Sequence, residues 1–387
     1  MIRAFQVCNG LGSGNIGDDL MAWAFWDHIP DDLVLDVPLL PEAARRQQPY
    51  PSGHRYIPVD WQGNECAATR LPGLLVGDTP VTDREGLDWP LAFLAPRLRH
   101  FHQHGLPVDV VGAGVEGCGS AEGRALFDEA FAPVRSWTVR TAFCRDTLLA
   151  LGVAPERVHV AADLAWLYTA RRDLRSWAAA LWRGIGIDPS GPLLVINVVN
   201  MLWGDRREAK RSIAAVLDRA SLRDLQIAFF CNECREGEFF DFAAAREMAA
   251  LLRRPAALVP NRYYSPDEAL ALLGYATVTV GQRYHFVVET VLAGSVPVAI
   301  SRGPKIDGLA AELGLDVSGT VEAADPDRLH AAVLDAVEQR DSWLRRLDQA
   351  RRQLRARAAT NLRFIRQLPP YAACQGSWDA AAADPVS

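Results

Sequence analysis

The sequence predicts an α/β fold made of two doubly wound domains, each with a parallel sheet covered by helices. Short apolar runs rich in Val, Ile and Leu alternate with helical patterns along most of the 387 residues, which is typical of parallel sheets. The strand rhythm pauses near 166–190 and then starts again, and a chain of this length corresponds to about two domains. We therefore expect a cleft between the carboxyl ends of the two sheets, where ligands of such folds bind.

The first half of the chain is predicted to contain six strands with helices between them. Each strand is a short, mostly apolar run, as expected for strands that are buried on both faces. The strands are predicted at 2–8, 33–37, 71–77, 108–114, 137–140 and 158–163. The helices are predicted at 18–27, 89–104, 123–132 and 142–151.

The second half repeats this alternation after the pause. Its strands are predicted at 193–199, 225–231, 256–260, 277–281 and 296–300. Its helices are predicted at 173–184, 206–219, 236–252, 266–273, 284–293 and 306–313. A long Arg-rich helix over 327–366 follows, and we expect it to pack back on the domains. The predicted division is an N-terminal domain at 1–170, a C-terminal domain at 171–326, a C-terminal helix at 327–368 and a disordered tail at 369–387.

Composition and charge exclude several classes of protein. The chain is 49% hydrophobic and has a net charge of −6, which does not fit a dedicated nucleic-acid-binding protein. It has no run of eighteen apolar residues that could cross a membrane, and the early glycine-rich turn leaves no room for a secretory signal. The seven scattered Cys, an odd number, indicate reduced thiols. We therefore expect a cytoplasmic protein.

The first strand runs directly into a glycine-rich turn that opens a helix. The turn reads GSGNIGDD from Gly12 to Asp19, and the free amides at such a helix start bind anions or polar ligands. Asn15, Gly17, Asp18 and Asp19 are therefore candidate binding residues. Two interpretations remain open: the two acids cap the helix and complement its dipole, or they hold the hydroxyl groups of a sugar.

Other strand ends of the first half add residues to the same edge. Glycine-containing turns follow strands 71–77 and 108–114, an Arg ends strand 137–140, and an Asp ends strand 158–163. The carboxyl ends of parallel strands share one edge of a sheet, so these residues together indicate a site there. The Arg suits a carboxylate or phosphate ligand, and equally an interdomain salt bridge. The residues concerned are Gly77, Asp78, Thr79, Gly114, Arg140 and Asp163.

The most pronounced candidate site is VGQRYH, at the end of strand 277–281 and the start of helix 284–293. Arg283 and His285 stand two residues apart at a helix N-terminus, where the helix dipole attracts anions. Lys305 follows the next strand and therefore falls at the same edge. Together the three side chains could neutralise and protonate a phosphate-bearing acid.

Two further patterns are weaker signals. His100, His102 and His104 form H-x-H-x-H, which lacks the further ligands of a zinc site and is interpreted as a solvated helix end. Cys231 and Cys234 form a single C-x-x-C after a strand, which is at most half of a metal site and a weak redox signal. We expect surface or core thiols and no metal site.

The order of these motifs resembles the polysaccharide pyruvyl transferase family. GNIGDD, GDT, GAGVEG, VRTAFCRDTLLALGV, ADLAW and VGQRYHFVVETVLAGSVPVAI with Lys305 follow one another over about residues 5 to 315. The resemblance implies two Rossmann-like domains in a GT-B-type arrangement, with the acceptor bound by the first and the donor by the second. It implies transfer of a pyruvyl group from phosphoenolpyruvate to a pair of sugar hydroxyls as a ketal, in the biosynthesis of bacterial cell-surface or exopolysaccharide.

The resemblance also implies roles for the candidate residues. Arg140 and Arg283 would clamp the carboxylate and phosphate of phosphoenolpyruvate, and His285 would protonate its methylene carbon. Lys305 would neutralise the leaving phosphate. Asp18, or the acid after it as a second choice, would position or deprotonate the sugar hydroxyl. No cofactor is expected besides the donor substrate itself.

Two alternatives to pyruvyl transfer remain open. One is a GT-B glycosyltransferase that uses a nucleotide sugar, in which Glu289 would supply a ribose-binding carboxylate. The other is a catalytically degenerate binding subunit. The expected partners are phosphoenolpyruvate and a sugar or glycan acceptor, lipid-linked or free, and nucleic acid is not expected. Peripheral membrane contact through helix 327–366 and self-association into a homo-oligomer remain open.

Overall fold

The computed structural model of the chain describes residues 1–7, 10–40, 50, 53–58, 69–84, 86–200, 207–237 and 240–375. The chain forms two compact units. The first unit contains residues 1–13, 18–169 and the segment from 353 onward, and the second contains 14–17 and 170–352. Each unit has a parallel sheet, so the predicted α/β class with two Rossmann-like domains is confirmed.

The first unit is built on a seven-stranded parallel sheet. Its strands are β1 (Ile2–Gln6), β2 (Leu33–Leu39), β3 (Arg55–Pro58), β4 (Gly73–Val76), β6 (Val108–Ala113), β8 (Ser136–Val139) and β9 (Val158–Val160). The strands β5 (Val81–Thr82) and β7 (Val115–Gly117) form a separate two-stranded sheet. The strand order in the large sheet is β3-β2-β1-β4-β6-β8-β9. Strands β4, β6 and β8 are buried along their whole length, because helices cover both faces of a parallel sheet.

Two of the helices described in the first unit begin at polar caps. The helices are α1 (Ile16–Trp26), whose first two residues belong to the second unit, α2 (Phe93–Gln103), α3 (Ala121–Leu126) and α4 (Ala142–Ala150). Ser120 and Thr141 cap α3 and α4, since their hydroxyls accept the amides of Gly123 and Cys144, which satisfies donors that a helix start leaves open. The core around β4, β6 and β8 is rich in Phe and Val and includes the fully buried Trp137.

The second unit is built on a six-stranded parallel sheet with the order β12-β11-β10-β13-β14-β15. The strands are β10 (Leu193–Asn197), β11 (Gln226–Phe229), β12 (Ala257–Leu258), β13 (Val278–Gly281), β14 (Val296–Ser301) and β15 (Val317–Thr320). The helices are α5 (Arg175–Gly184), α6 (Arg207–Leu217), α7 (Asp241–Leu251), α8 (Pro266–Leu273), α9 (Tyr284–Leu292), α10 (Pro304–Leu313) and α11 (Pro326–Glu338). Strands β10, β13 and β14 are fully buried.

The C-terminal region differs from the prediction of one helix over 327–366. It consists of α11 and a second helix, α12 (Arg340–Gln367), because the backbone leaves helical geometry at Gln339, with φ −103° and ψ 21°. The part of α12 from residue 353 onward belongs to the first unit. There Arg355 donates to the carbonyl of Leu167 at 2.6 Å, and Asn361 donates to that of Ala162 at 2.9 Å, so this part of the helix packs back as predicted.

Two expectations concern the ends of the chain and the membrane. The tail predicted at 369–387 lies outside the described residues from 376 onward. In the part of the chain that the structure describes, no helix is both long enough and apolar enough to span a membrane.

Candidate functional site

The predicted glycine-rich loop is divided between the two units. Residues 14–17 belong to the second unit, whereas Asp18 and Asp19 continue α1 in the first. Asn15 and Gly17 are therefore grouped with the candidates on α9, and the two acids are grouped with the candidates around the first sheet.

Residues 14–17 lie along the loop that follows β11. The amide of Ile16 donates to the carbonyl of Asn232 at 2.9 Å, and Asn15 pairs with Glu233 in an antiparallel bridge. The segment therefore extends the carboxyl edge of the second sheet, although its position in the sequence is at the start of the chain.

Gly17 is packed against the imidazole of His285. A β-carbon at Gly17 would stand 2.3 Å from the Nδ1 atom of His285, so a residue with a side chain requires a rearrangement there. The amide of Gly17 donates to the side chain of Asn15 at 3.0 Å, which holds the turn in place. His285 itself is half-buried in the first turn of α9.

Arg283 occupies the position directly before α9, and two buried carboxylates hold its guanidinium group. Its Nε donates to both oxygens of Asp241 at 2.7 and 2.9 Å, and its Nη2 donates to Glu233 at 2.6 Å. Asp241 and Glu233 are only 1% and 3% exposed. Buried carboxylates need charged partners of this kind, so Arg283 links the start of α9 to the start of α7 and to the loop after β11.

Glu233 lies among several cations. Arg235 also bonds to its carboxylate, and Arg302 acts on it electrostatically. Burial alone would raise the pKa of the Glu233 carboxyl, but the guanidinium groups of Arg283, Arg235 and Arg302 hold that pKa below its ordinary value. The carboxylate is therefore ionised at neutral pH.

Glu289 is fully buried on α9 and has a different charge state. The side-chain amide of Asn232 donates to its two oxygens at 2.8 and 2.7 Å. Burial raises the pKa of Glu289 to about 8, and the nearby Asp241 adds to the rise, while the bond from Asn232 opposes it. The carboxyl is therefore largely protonated at neutral pH. This is the residue that the glycosyltransferase alternative assigned to a ribose.

Lys305 lies in the first turn of α10, directly after β14. Strand β14 pairs in parallel with β13, which leads into Arg283 and His285. The three cationic candidates of the second unit therefore follow two neighbouring strand ends.

The candidates of the first unit converge on Arg140. This side chain is 4% exposed, and its Nε lies 2.8 Å from a carboxylate oxygen of Asp163. Its Nη2 donates to the carbonyl of Asp78 at 2.5 Å. A β-carbon at Gly114 would stand 3.0 Å from the hydroxyl of Thr79 and 3.3 Å from Arg140. The salt bridge of Arg140 is thus made inside the first unit.

Two other candidates of this unit are structurally constrained. Asp19 is fully buried, and the hydroxyl of Tyr50 donates to it at 3.4 Å. Burial raises the pKa of Tyr50 well above its ordinary value, and the charge of Asp19 adds to the rise. Gly77 has φ +71°, and a β-carbon there would stand 2.7 Å from the sulfur of Met21, so glycine is required at the end of β4.

The histidine and cysteine patterns form no metal site in the described residues, where no group of three or more metal-binding side chains occurs. The ring of His102 bonds to the carbonyl of Ala130 at 2.8 Å. Cys231 and Cys234 are buried cysteines that are not in a disulfide.

The comparisons with known proteins give a fold. No protein-family model and no curated protein matches the chain. The structure is similar to UDP-GlcNAc 2-epimerase from Neisseria meningitidis bound to UDP-GlcNAc (TM-score 0.57, 8% identity, 89% of this chain and 93% of that chain). It is also similar to Anabaena HepE in complex with UDP-glucose (0.58, 11%, 93% and 97%) and to S. aureus MnaA with UDP (0.57, 12%, 90% and 91%). This is a GT-B-like fold.

The predicted membership of the polysaccharide pyruvyl transferase family is wrong. The neighbours of this GT-B-like chain are UDP-GlcNAc 2-epimerases and other proteins bound to UDP-sugars, and no family model matches. The same findings overturn pyruvyl transfer as the function and phosphoenolpyruvate as donor and partner. The motifs misled because glycine-rich turns and cations at strand ends suit any doubly wound fold that holds an anionic ligand.

The sequence analysis missed the carboxylates that organise the second unit. Asp241 and Glu233 bond to Arg283, and Asn232 bonds to Glu289. Asn232 and Glu233 lie between the two cysteines of the C-x-x-C pattern, which was interpreted only through its cysteines. The available signal was their position directly after β11, at the carboxyl edge of the sheet.

Proposed function

We propose that this chain is an enzyme that acts on a UDP-sugar and that its second unit holds the nucleotide. The observation that carries the proposal is the likeness of fold, over at least 89% of each chain, to structures that contain UDP, UDP-glucose or UDP-GlcNAc. The glycosyltransferase alternative drawn from the sequence agrees with it.

The charges at the carboxyl edge of the second sheet support this assignment. Four cationic side chains follow β11, β13 and β14, and burial keeps the nearby carboxyl of Glu289 largely protonated. Cationic side chains at such an edge attract a diphosphate. The cations are Arg235, Arg283, Arg302 and Lys305.

The helices that start at this edge supply hydrogen-bond donors for phosphate oxygens. Helices α9 and α10, of nine and ten residues, begin directly after β13 and β14, and no side chain caps either start. Gly303 precedes α10 with φ 144°, a conformation that favours glycine. Helix N-termini bind phosphates through such amides and through the helix dipole.

Two reactions are candidates: 2-epimerisation, for which three of the similar structures are named, and glycosyl transfer, for which one is named. Incubation of the protein with UDP-glucose or UDP-GlcNAc, with and without a panel of saccharide acceptors, followed by product analysis, separates them. Transfer joins the sugar to an acceptor hydroxyl as the bond to UDP breaks, whereas epimerisation inverts C2 of the sugar and needs no acceptor.

The test of the proposal is a thermal-shift titration with UDP, UDP-glucose and UDP-GlcNAc, run beside GDP, CMP and phosphoenolpyruvate. A ligand at 100 times its Kd adds about 2.7 kcal/mol of stability, which corresponds to roughly 5–11 °C for a unit of this size. Lys305→Gln should weaken UDP binding about tenfold by removing one charge partner of the diphosphate. Arg328→Gln, on exposed α11 of the same unit, should leave it unchanged.

The absence of any shift with UDP and both UDP-sugars would overturn the proposal. A shift with GDP or CMP alone would keep a nucleotide site and remove the assignment of UDP.

A further inference from the structure

An indole side chain stands out to solvent in the first unit. Trp89 is 36% exposed, which makes it the exposed tryptophan among the large apolar side chains of the described residues. Its backbone is extended, with φ −134° and ψ 132°, directly before the helix that starts at Phe93. The exposed part of the indole is apolar surface that a ligand can cover.

The position of Trp89 is held by the residues around it. The Phe93 ring lies 4.7 Å from the indole, measured between ring centroids. A β-carbon at Gly10 would stand 3.1 Å from the indole atom Cη2 and 3.2 Å from Cζ2. Gly10 has φ +95°, so a glycine is required there both for the backbone and for the approach of the ring. The indole is thus fixed at the start of the loop after β1.

A carboxylate lies beside the same point. The Oδ2 atom of Asp18 stands 3.0 Å from the position of the Gly10 β-carbon, so the carboxylate and the Trp89 ring lie within about 6 Å of one another. Asp18 is half-buried in the first turn of α1. The next residue, Asp19, is fully buried and accepts the amide of Gly12 at 3.4 Å, which ties the loop before α1 to the helix that carries Asp18.

This pairing has the chemistry of a sugar-binding site. The axial C–H groups of a pyranose form an apolar face that packs on an aromatic ring, while its hydroxyls donate to a carboxylate at the edge of the ring. Hydrogen bonds to a charged acceptor are stronger than those between neutral groups. A fixed indole and a carboxylate within about 6 Å therefore match one pyranose ring in both of its recognition features.

We propose that Trp89 and Asp18 form a pyranose-binding subsite in the first unit, with the ring stacked on the indole and a hydroxyl bonded to the carboxylate. The subsite deepens the function proposed above, because it names the part of the first unit that recognises a saccharide acceptor.

The test is saturation-transfer difference NMR with two probes. One is a panel of methyl glycosides of glucose, galactose, mannose and N-acetylglucosamine, and the other is UDP-glucose with UDP-GlcNAc. We expect transfer to the sugar-ring protons in wild type and a loss of affinity of about tenfold in Trp89→Ala, with most of the affinity retained in Trp89→Tyr. Asp18→Asn should weaken binding about tenfold. The control is Phe143→Ala, an exposed aromatic of the same unit, which should bind like wild type.

The two probes separate a free saccharide from a nucleotide-linked sugar. Transfer to a methyl glycoside supports the subsite, and transfer to the sugar ring of a UDP-sugar alone overturns it as a site for a free saccharide. The proposal is overturned if no sugar-ring proton responds with either probe, or if Trp89→Ala binds as wild type does. Stabilisation by UDP is measured separately, so UDP binding without an effect of Trp89 retains the proposed function and removes the subsite. Glycoside binding without any response to UDP retains the subsite and removes the proposed function.

Discussion

Glu289 is the residue at which burial and hydrogen bonding oppose one another most directly. The carboxyl has no exposed surface, and burial raises its pKa from 4.5 to about 8. The unfolded chain therefore loses this proton near pH 4.5, whereas the folded chain keeps it up to about pH 8. Since the folded state binds the extra proton in that window, the stability contributed at this site falls as the pH rises through it.

Glu289→Gln should consequently stabilise the second unit at alkaline pH. The Gln carbonyl can still accept the amide of Asn232, and it carries no charge to bury, so the gain should be of the order of 2 kcal/mol at pH 8.5 and small at pH 5. Urea unfolding at both values measures it. The control is Glu338→Gln, on the exposed end of α11, which should show no such pH-dependent gain. A variant that is less stable than wild type at pH 8.5 would contradict the charge state assigned to Glu289.

Arg283 provides a second test at the scale of the residue. Its removal leaves the carboxylates of Asp241 and Glu233 buried without their shared cation, which costs about 3–5 kcal/mol. Arg283→Ala should therefore unfold at a much lower urea concentration than wild type. The control is Arg219→Ala, which breaks the ion pair between Arg219 and Asp327. The side chain of Asp327 is 90% exposed, so this loss should cost less than about 1 kcal/mol. Equal losses in the two variants would refute the buried network as the stabilising element.

The sequence predicted where the candidate residues lie in the fold, but not which side chains bond to one another. The local pattern VGQRYH correctly indicated a strand end followed by a helix, which the structure has at β13 and α9. The partners of Arg283 are Asp241 and Glu233, which precede it by 42 and 50 positions. No local periodicity encodes a bond over that separation, so an arginine that appears available for a ligand in the sequence is already engaged in the fold.

At the scale of the element, Gly17 determines how the segment 14–17 packs against α9 within the second unit. A β-carbon at position 17 would stand 2.3 Å from the imidazole of His285, so Gly17→Ala should displace the segment 14–17 and destabilise the unit by about 1–3 kcal/mol. Gly308→Ala is the matched control, since a β-carbon there meets nothing within 4 Å. In the middle of α10 it should be neutral or stabilising by about 0.5–1 kcal/mol. Thermal unfolding of both variants gives the comparison, and an unchanged Gly17→Ala would contradict the close packing on His285.

Elements with strong periodicity and clear caps were predicted well. The helix predicted at 142–151 spans Ala142–Ala150, where the Thr141 side chain caps it. The strands β3, β5, β7 and β15 were missed, because each has four residues or fewer and none is a continuous apolar run of the kind by which the other short strands were predicted. The single long helix was predicted in place of two because the break at Gln339 contains neither Gly nor Pro.

At the scale of the whole molecule, we expect the part of α12 from residue 353 onward to stabilise the first unit. A chain that ends at Arg352 lacks the bonds of Arg355 and Asn361 to the first unit, together with buried side chains such as Leu362. We expect the first unit to unfold at a lower denaturant concentration, and the second unit to keep its stability. Hydrogen exchange of β8 and β9, compared with β10 and β13, reports on the two units separately.

The control for this truncation is a chain that ends at Gln375, which keeps every contact described for α12. It should unfold as the full chain does. If ending at Arg352 left the exchange of β8 and β9 unchanged, α12 would not stabilise the first unit.

The divided glycine-rich loop also sets an order of events during synthesis. Residues 14–17 leave the ribosome about 220 residues before Asn232 and Glu233, on which they dock. At roughly 5–20 residues per second, this interval is about 10–40 s. The first unit can therefore collect most of its strands before the second offers a place for the segment, so the nascent chain must keep residues 14–17 accessible during that interval.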